Sequence, residues 1–284
     1  MPATKKPTAP KTVNPATPKT GKSAATKTGA RATHVGKPAP RMTLAGTMRE
    51  LQQAGSGQAR RTYARHGATE PMFGVSFATL KTLVKRIGVD QELALALWDT
   101  GNFDARNLAV KIADPAGIRS ADLDRWAASS SMRMCGGYVA MLAGESPHAA
   151  AKARAWLAAK DETLRCAGWA LLGQLASRDE AAPDAFFAAR LAHIEKHIAA
   201  APNGEREAMN MALILIGCRN AALRKAATAA AKRIGKVEID HGDTACKTPD
   251  AGPYLDRTWT HSTGKGFASP AAHERSREPQ RIRC

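Results

Sequence analysis

The chain has 284 residues, 44% of them hydrophobic, and a formal net charge of +17. That length and apolar content allow a sizeable core, in one large domain or two ordinary ones, and exclude disorder of the whole chain. No apolar run approaches the roughly 18 residues needed to span a bilayer, so a membrane protein is not expected. The five cysteines, Cys135, Cys166, Cys218, Cys246 and Cys284, are odd in number and widely spaced; with no hydrophobic signal segment, they point to a reduced, cytoplasmic protein without a disulfide framework.

In chain order, residues 1–41 come first, built almost wholly of Lys, Pro, Ala, Thr and Gly. Such a composition cannot bury enough apolar surface to offset the entropy of ordering, so a disordered basic tail is expected. Residues 1–42 hold nine Lys or Arg and no Asp or Glu, whereas the body from Thr43 to Arg257 has 28 basic and 23 acidic side chains. A fully basic tail on a mildly basic body implies a polyanionic partner, because each cation that neutralises a phosphate releases counterions.

From Thr43 to Gly235 apolar residues recur at helical spacing between short Gly, Pro, Asn and Asp breaks. Leu80, Leu83, Val84 and Ile87 make one stripe; Leu93, Leu95, Leu97 and Trp98 the next; Leu108, Val110 and Ile112 a third. Further helices are expected over Ala121–Ala128, Met132–Leu142, Ala149–Ala159, Thr163–Ala176, Pro183–Ala199, Glu205–Ile216 and Ala221–Ile234, about a dozen in all. Period-two alternation is nearly absent, leaving no sheet to cover. The fold class is therefore all-α, and helix pairs repeating every 35 to 45 residues or so favour an α-solenoid of stacked HEAT-like hairpins over residues 42–257. Residues 236–257 read as an ordered polar extension on the last helices. Residues 258–284, with five basic and two acidic side chains, read as a flexible basic tail.

Five segments are more specific: RHGATEPMFGVSFATLKTLVKRI (65–87), LALALWDTGNFDARNLAVKIADP (93–115), LDRWAASS (123–130), LRCAGWALLGQLA (164–176) and AMNMALILIGCRN (208–220). In order and spacing they resemble the DNA alkylation repair family of HEAT-like repeats, over about Thr43 to Ile234. The resemblance implies a curved solenoid that holds duplex DNA, alkylated or abasic, on a concave basic face. For active members it implies excision of cationic alkylpurines with neither metal nor bound cofactor. Leaving-base chemistry of that kind wants an anion beside the oxocarbenium-like sugar and aromatic faces for the cationic base.

Carried over by position, the expected aspartate falls on Gly136 or Gly137, and no Asp or Glu occurs from Ala127 to Gly144. The aromatic positions fall on Met132 or Arg133 and on Met211, one arginine position on Ile214, and another on Arg165 or Cys166. Ordinary excision is therefore not expected. Phosphate contacts are expected from Lys81, Lys85, Arg106, Arg133 and Arg165. Arg106 is expected to face the groove or to pair with Asp104 or Asp99, and a glycosylase with an altered site would use Asp104 or a water held by backbone groups. Trp98, Trp126, Trp156 and Trp169 lie on apolar stripes and are expected in the core. The cluster Asp240, His241, Asp243 and Cys246 lacks zinc-site spacing, so no metal is expected there, and its side chains should satisfy backbone groups where the extension docks. A protein-binding solenoid with a merely solubilising tail is the reading from another class.

Overall fold

A computed structural model of the chain describes residues 41–69, 71–130 and 135–283. The tail expected over residues 1–41 therefore lies outside the described residues except for Arg41, and so does Arg133. Among the described residues the helices are α1 (Leu44–Ala54), α2 (Gly57–Arg65), α3 (Phe77–Ile87), α4 (Gln91–Asp99), α5 (Phe103–Ile112), α6 (Ser120–Ala128), α7 (Gly137–Glu145), α8 (Ala149–Leu157), α9 (Glu162–Arg178), α10 (Asp184–His197), α11 (Asn203–Gly217), α12 (Ala221–Ile234), α13 (Ala251–Thr263) and α14 (Pro270–Arg275). The single β contact described is one antiparallel bridge, Gly55 with Val75.

Local chemistry sets these limits. Ser76, Asp90, Asn102, Asp161 and Asn220 stand just ahead of apolar runs, and each accepts a first-turn backbone N–H as the N-cap of α3, α4, α5, α9 and α12. Arg41 reinforces one of them by pairing with Asp90 at 2.8 Å and Glu92 at 3.0 Å.

Helices α5, α7, α9 and α11 form an inner row in which each packs on the next, with α4, α6, α8 and α10 as outer partners and α12 against α10 and α11. Within α9, residues Cys166 to Trp169, Leu171 to Gly173 and Leu175 to Ser177 are all buried, because neighbours press on it from several sides. A helix covered that way loses its polar stripe. Gly168 is needed for the fit, since a Cβ there would stand 2.7 Å from the Leu157 backbone nitrogen. All four tryptophans of the stripes are core, and Trp98 stacks on Trp126 with centroids 4.2 Å apart.

One carboxylate ties the first helices to the inner row. Asp104, only 1% exposed, accepts the N–H groups of Phe73 (2.6 Å), Gly74 (2.9 Å) and Val75 (2.8 Å). The loop it holds passes Gly74 at φ +81°, where a Cβ would lie 2.5 Å from the Ser56 carbonyl oxygen; only glycine fits. The Tyr63 hydroxyl donates to the Val75 carbonyl at 2.7 Å from the opposite side.

The C-terminal residues correct an expectation. Residues 258–284 were expected to form a flexible basic tail, yet the described ones continue α13, add α14 and cross the C-terminal ends of the whole inner row. Trp259 donates to Gly217 O of α11 at 2.9 Å, Arg275 to Ser177 O of α9 at 3.2 Å, and Arg281 to Val110 O and Lys111 O of α5 at 2.6 and 2.9 Å while pairing with Glu145 of α7 at 2.8 Å. These arginines satisfy orphan carbonyls at the negative ends of helix dipoles. Their work is structural, a use of charge that composition alone does not distinguish from solvation.

Replacing Asp104 with Ala leaves three amides of the 73–75 loop without their acceptor. The expected loss of unfolding free energy is about 3 kcal/mol, read by denaturant titration, and a loss below about 1 kcal/mol would contradict the role given to this side chain.

Candidate nucleic-acid interface

An open cavity of about 310 Å³ lies between α7, α9, α11 and the polar extension. Among the described residues it is lined by Gly137 at the start of α7, Ala170 of α9, and Gly204, Glu207, Ala208 and Met211 of α11. His66 at the end of α2 and His241 and Cys246 of the extension complete that lining.

The extension is held there by side chains of α11 that hydrogen-bond its main chain. Asn203 exchanges two 2.8 Å hydrogen bonds with the main chain of Asp240, Arg206 donates to Glu238 O at 3.1 Å, and Asn210 to Pro249 O at 3.0 Å. His241 Nε2 lies 3.0 Å from Thr248 Oγ1, and His241 Nδ1 lies 3.9 Å from Glu207 Oε1. Cys246 Sγ then comes within 4.0 Å of His66 Nδ1. The extension thus docks as expected on α11, and it also reaches the first repeat, 180 residues away in sequence. No group of three or more His, Cys, Asp or Glu among the described residues is arranged to hold a metal ion, and no described helix is long and apolar enough to cross a membrane.

The side chains expected to contact phosphate divide into three kinds. Lys81 and Lys85 are exposed on α3. Arg106 lies over Trp98 at 5.0 Å and donates to Trp98 O and Ser129 O at 3.3 and 3.1 Å. Neither aspartate expected as its partner takes that part: Asp104 holds the 73–75 loop, and Asp99 pairs with Arg125. Asp104 is likewise consumed as a candidate catalytic carboxylate. Arg165 is turned inward, pairing with buried Glu205 at 2.8 Å and donating to Lys160 O at 2.7 Å. Because Glu205 also accepts from Trp169 at 3.2 Å, this arginine joins α9 to α11 and is not on offer to a phosphate. Ile214 is core, and Met132 lies outside the described residues.

Gly137 and Met211, two positions singled out by the resemblance, meet in the one cavity. Glu207, one turn before Met211, lines the same cavity. Sequence reading missed Arg61 and Arg65, exposed on α2 with no ion-pair partner among the described residues. The signal was present in GQARRTYAR, a helix with three arginines and no acid.

Burial raises the thiols of Cys135, Cys166 and Cys218 to about 12, so at pH 8 they remain protonated and unreactive, whereas Cys246 is exposed. Iodoacetamide at pH 8 is expected to modify Cys246 and to spare those three in the folded protein, read by peptide mass spectrometry. Labelling of Cys166 as fast as Cys246 would contradict the packing of α9 against α11.

Residues 47–251 match the sequence profile of the DNA alkylation repair enzyme family. Uncharacterized proteins of Listeria innocua and Listeria monocytogenes are each 24% identical over 214 residues, covering 73% of this chain and 93% of theirs. A solved structure is 30% identical, with a TM-score of 0.71 over 81% of this chain and 98% of its own; it represents a new family of proteins related to the HEAT-like repeat DNA glycosylases with affinity for branched DNA structures. With the stacked helices, the family-specific segments and a match over most of its length in agreement, this chain belongs to the DNA alkylation repair enzyme family.

Proposed function

We propose that the protein binds branched DNA through phosphate contacts and does not excise bases as the alkylpurine glycosylases of its family do. The observation that carries this reading is its 30% identity to a protein described as having affinity for branched DNA, over 98% of that protein's length. Glycine at the start of α7, where the resemblance expects the catalytic aspartate, supports the second half. The cations available for phosphate are Arg61 and Arg65 on α2 and Lys81 and Lys85 on α3, all exposed. Phosphate contacts of this kind position DNA without reading its sequence, so recognition rests on shape and charge. The N-terminal tail, with nine cations in residues 1–42, adds sequence-independent affinity.

The test uses the full chain with a four-way junction and a linear duplex of equal length between 50 and 200 mM salt. The junction is expected to bind about tenfold more tightly, with affinity falling steeply as salt rises. The double substitution Arg61→Ala, Arg65→Ala is expected to reduce the log–log salt slope by about two. Equal binding of junction and duplex, or an unchanged slope, would overturn the reading. A methylated duplex incubated with the protein is expected to release no base; release that vanishes in Glu207→Gln would assign excision to that carboxylate.

A further inference from the structure

Two arginines of the outer row have no acceptor inside the protein. We propose that Arg154 of α8 and Arg190 of α10 form a second phosphate site, on the outer row of helices, which takes the backbone of another arm of branched DNA; the proposal rests on the DNA-binding reading above.

A core ring sets the geometry. Phe186 of α10 is half-buried and lies edge-on to the fully buried Phe187, with centroids 5.5 Å apart. Arg154 reaches the Phe186 ring from α8 at 5.7 Å, and Arg190 reaches it from its own helix at 5.5 Å. An aromatic ring attracts a guanidinium, yet it leaves the five N–H donors of that group in need of acceptors. Neither arginine donates a hydrogen bond or meets a carboxylate among the described residues, and even Arg190 Nε, which is buried, lacks an acceptor. Arg219 shows the contrast. It too lies over a phenylalanine, Phe187 at 4.7 Å, but Asp184 and the carbonyls of Ala176, Asp179 and Ala182 fill its donors.

The two helices supply no counter-charge. Helix α8 contains no acid, and the two acids of α10, Asp184 and Glu195, pair with Arg219 and Arg233. His193, one turn beyond Arg190, has its imidazole held below the ordinary histidine range by burial and then by His197 and Arg190, with Glu205 acting the other way. Positive charge on this side of α10 is therefore left uncompensated, and an oxyanion that reaches both guanidiniums is the partner that completes it.

The surroundings favour a sugar–phosphate backbone over an acidic peptide. Two cations already engage the Phe186 ring, so a peptide finds no apolar seat there for the anchoring side chain that carries most protein-binding energy. A nucleic-acid backbone needs no such seat, and successive phosphates along one strand can meet both arginines. Ala151 and Ala155 of α8 and Ala185 and Ala189 of α10 are exposed, and these small side chains leave room for the bulk of a duplex. Branched DNA sends its arms in different directions. One arm can lie along α2 and α3 while a second meets the outer row, and a linear duplex has no second arm to offer.

The probes are a four-way junction, a linear duplex of equal length and decaglutamate, each titrated into the full-length protein across a salt series. The double substitution Arg154→Gln, Arg190→Gln keeps the side-chain stems and removes both charges. It is expected to weaken junction binding about tenfold and to lower the junction's log–log salt slope by about two, while duplex affinity stays within about twofold. Arg154→Glu alone, a change at an exposed position, is expected to weaken junction binding in the same direction if the double variant fails to fold. Unchanged junction affinity and slope in a folded variant would overturn the proposal. So would an equal loss for junction and duplex, which would merge these arginines with the surface of α2 and α3. Decaglutamate is expected to bind the protein and its variant alike; a tight complex that the variant loses would give the site to an acidic protein segment instead. Junction binding that is indifferent to the substitutions would sink this inference alone, whereas a parent protein that binds neither DNA would sink the reading beneath it as well.

Discussion

The placement of the candidate site depends on Asp104. Its carboxylate is buried in α5 and held by three amides of the 73–75 loop, and that loop joins α2 to α3. Together with the 2.8 Å hydrogen bond from Phe103 N to Pro71 O, this anchor fixes the segment that follows α2, where Arg65 and His66 stand, relative to the inner row. A buried carboxylate is costly unless it is hydrogen-bonded; three main-chain donors offset that cost and fix the position of the loop. The same interaction disqualifies Asp104 from chemistry, because an anion committed to three amides is not available to a reacting sugar.

Charge in this protein serves two purposes that look alike in sequence. Arg165, Arg219 and Arg281 are turned inward: Arg219 donates to the carbonyls of Ala176, Asp179 and Ala182, and Arg281 closes α5 and pairs with α7. Arg61, Arg65, Lys81 and Lys85 face solvent. The total of +17 therefore overstates the cations open to a polyanion, because some arginines are committed to internal contacts. The family match ends at residue 251, and the helices and arginines beyond it serve the inner row.

Much of the helical architecture was legible because it follows from spacing and caps. The stripes around Leu80 and Leu93 and the helix over Ala221–Ile234 are where periodicity places them, and the tryptophans are in the core. The C-terminal helices were less legible: Ala251, Leu255 and Trp259 are buried at helical spacing, but the polar residues between them resemble a linker, and hydrogen bonds from arginine to helix-end carbonyls leave no periodic trace. At the candidate site, Gly137 and Met211 were found by resemblance, whereas Glu207, His66, His241 and Cys246 come from three distant segments. Only the stacking of the helices and the docking of residues 236–250 bring those together, so no linear motif announces them.

In this account DNA lies against α2 and the inner row beside the docked extension. Hydrogen exchange of the full-length protein, with and without saturating four-way junction, tests that placement most directly. The account predicts slower exchange on binding in residues 57–66, 203–211 and 236–250. Unchanged exchange in all three segments, with protection confined to residues 1–40, would contradict it and leave DNA binding to the tail.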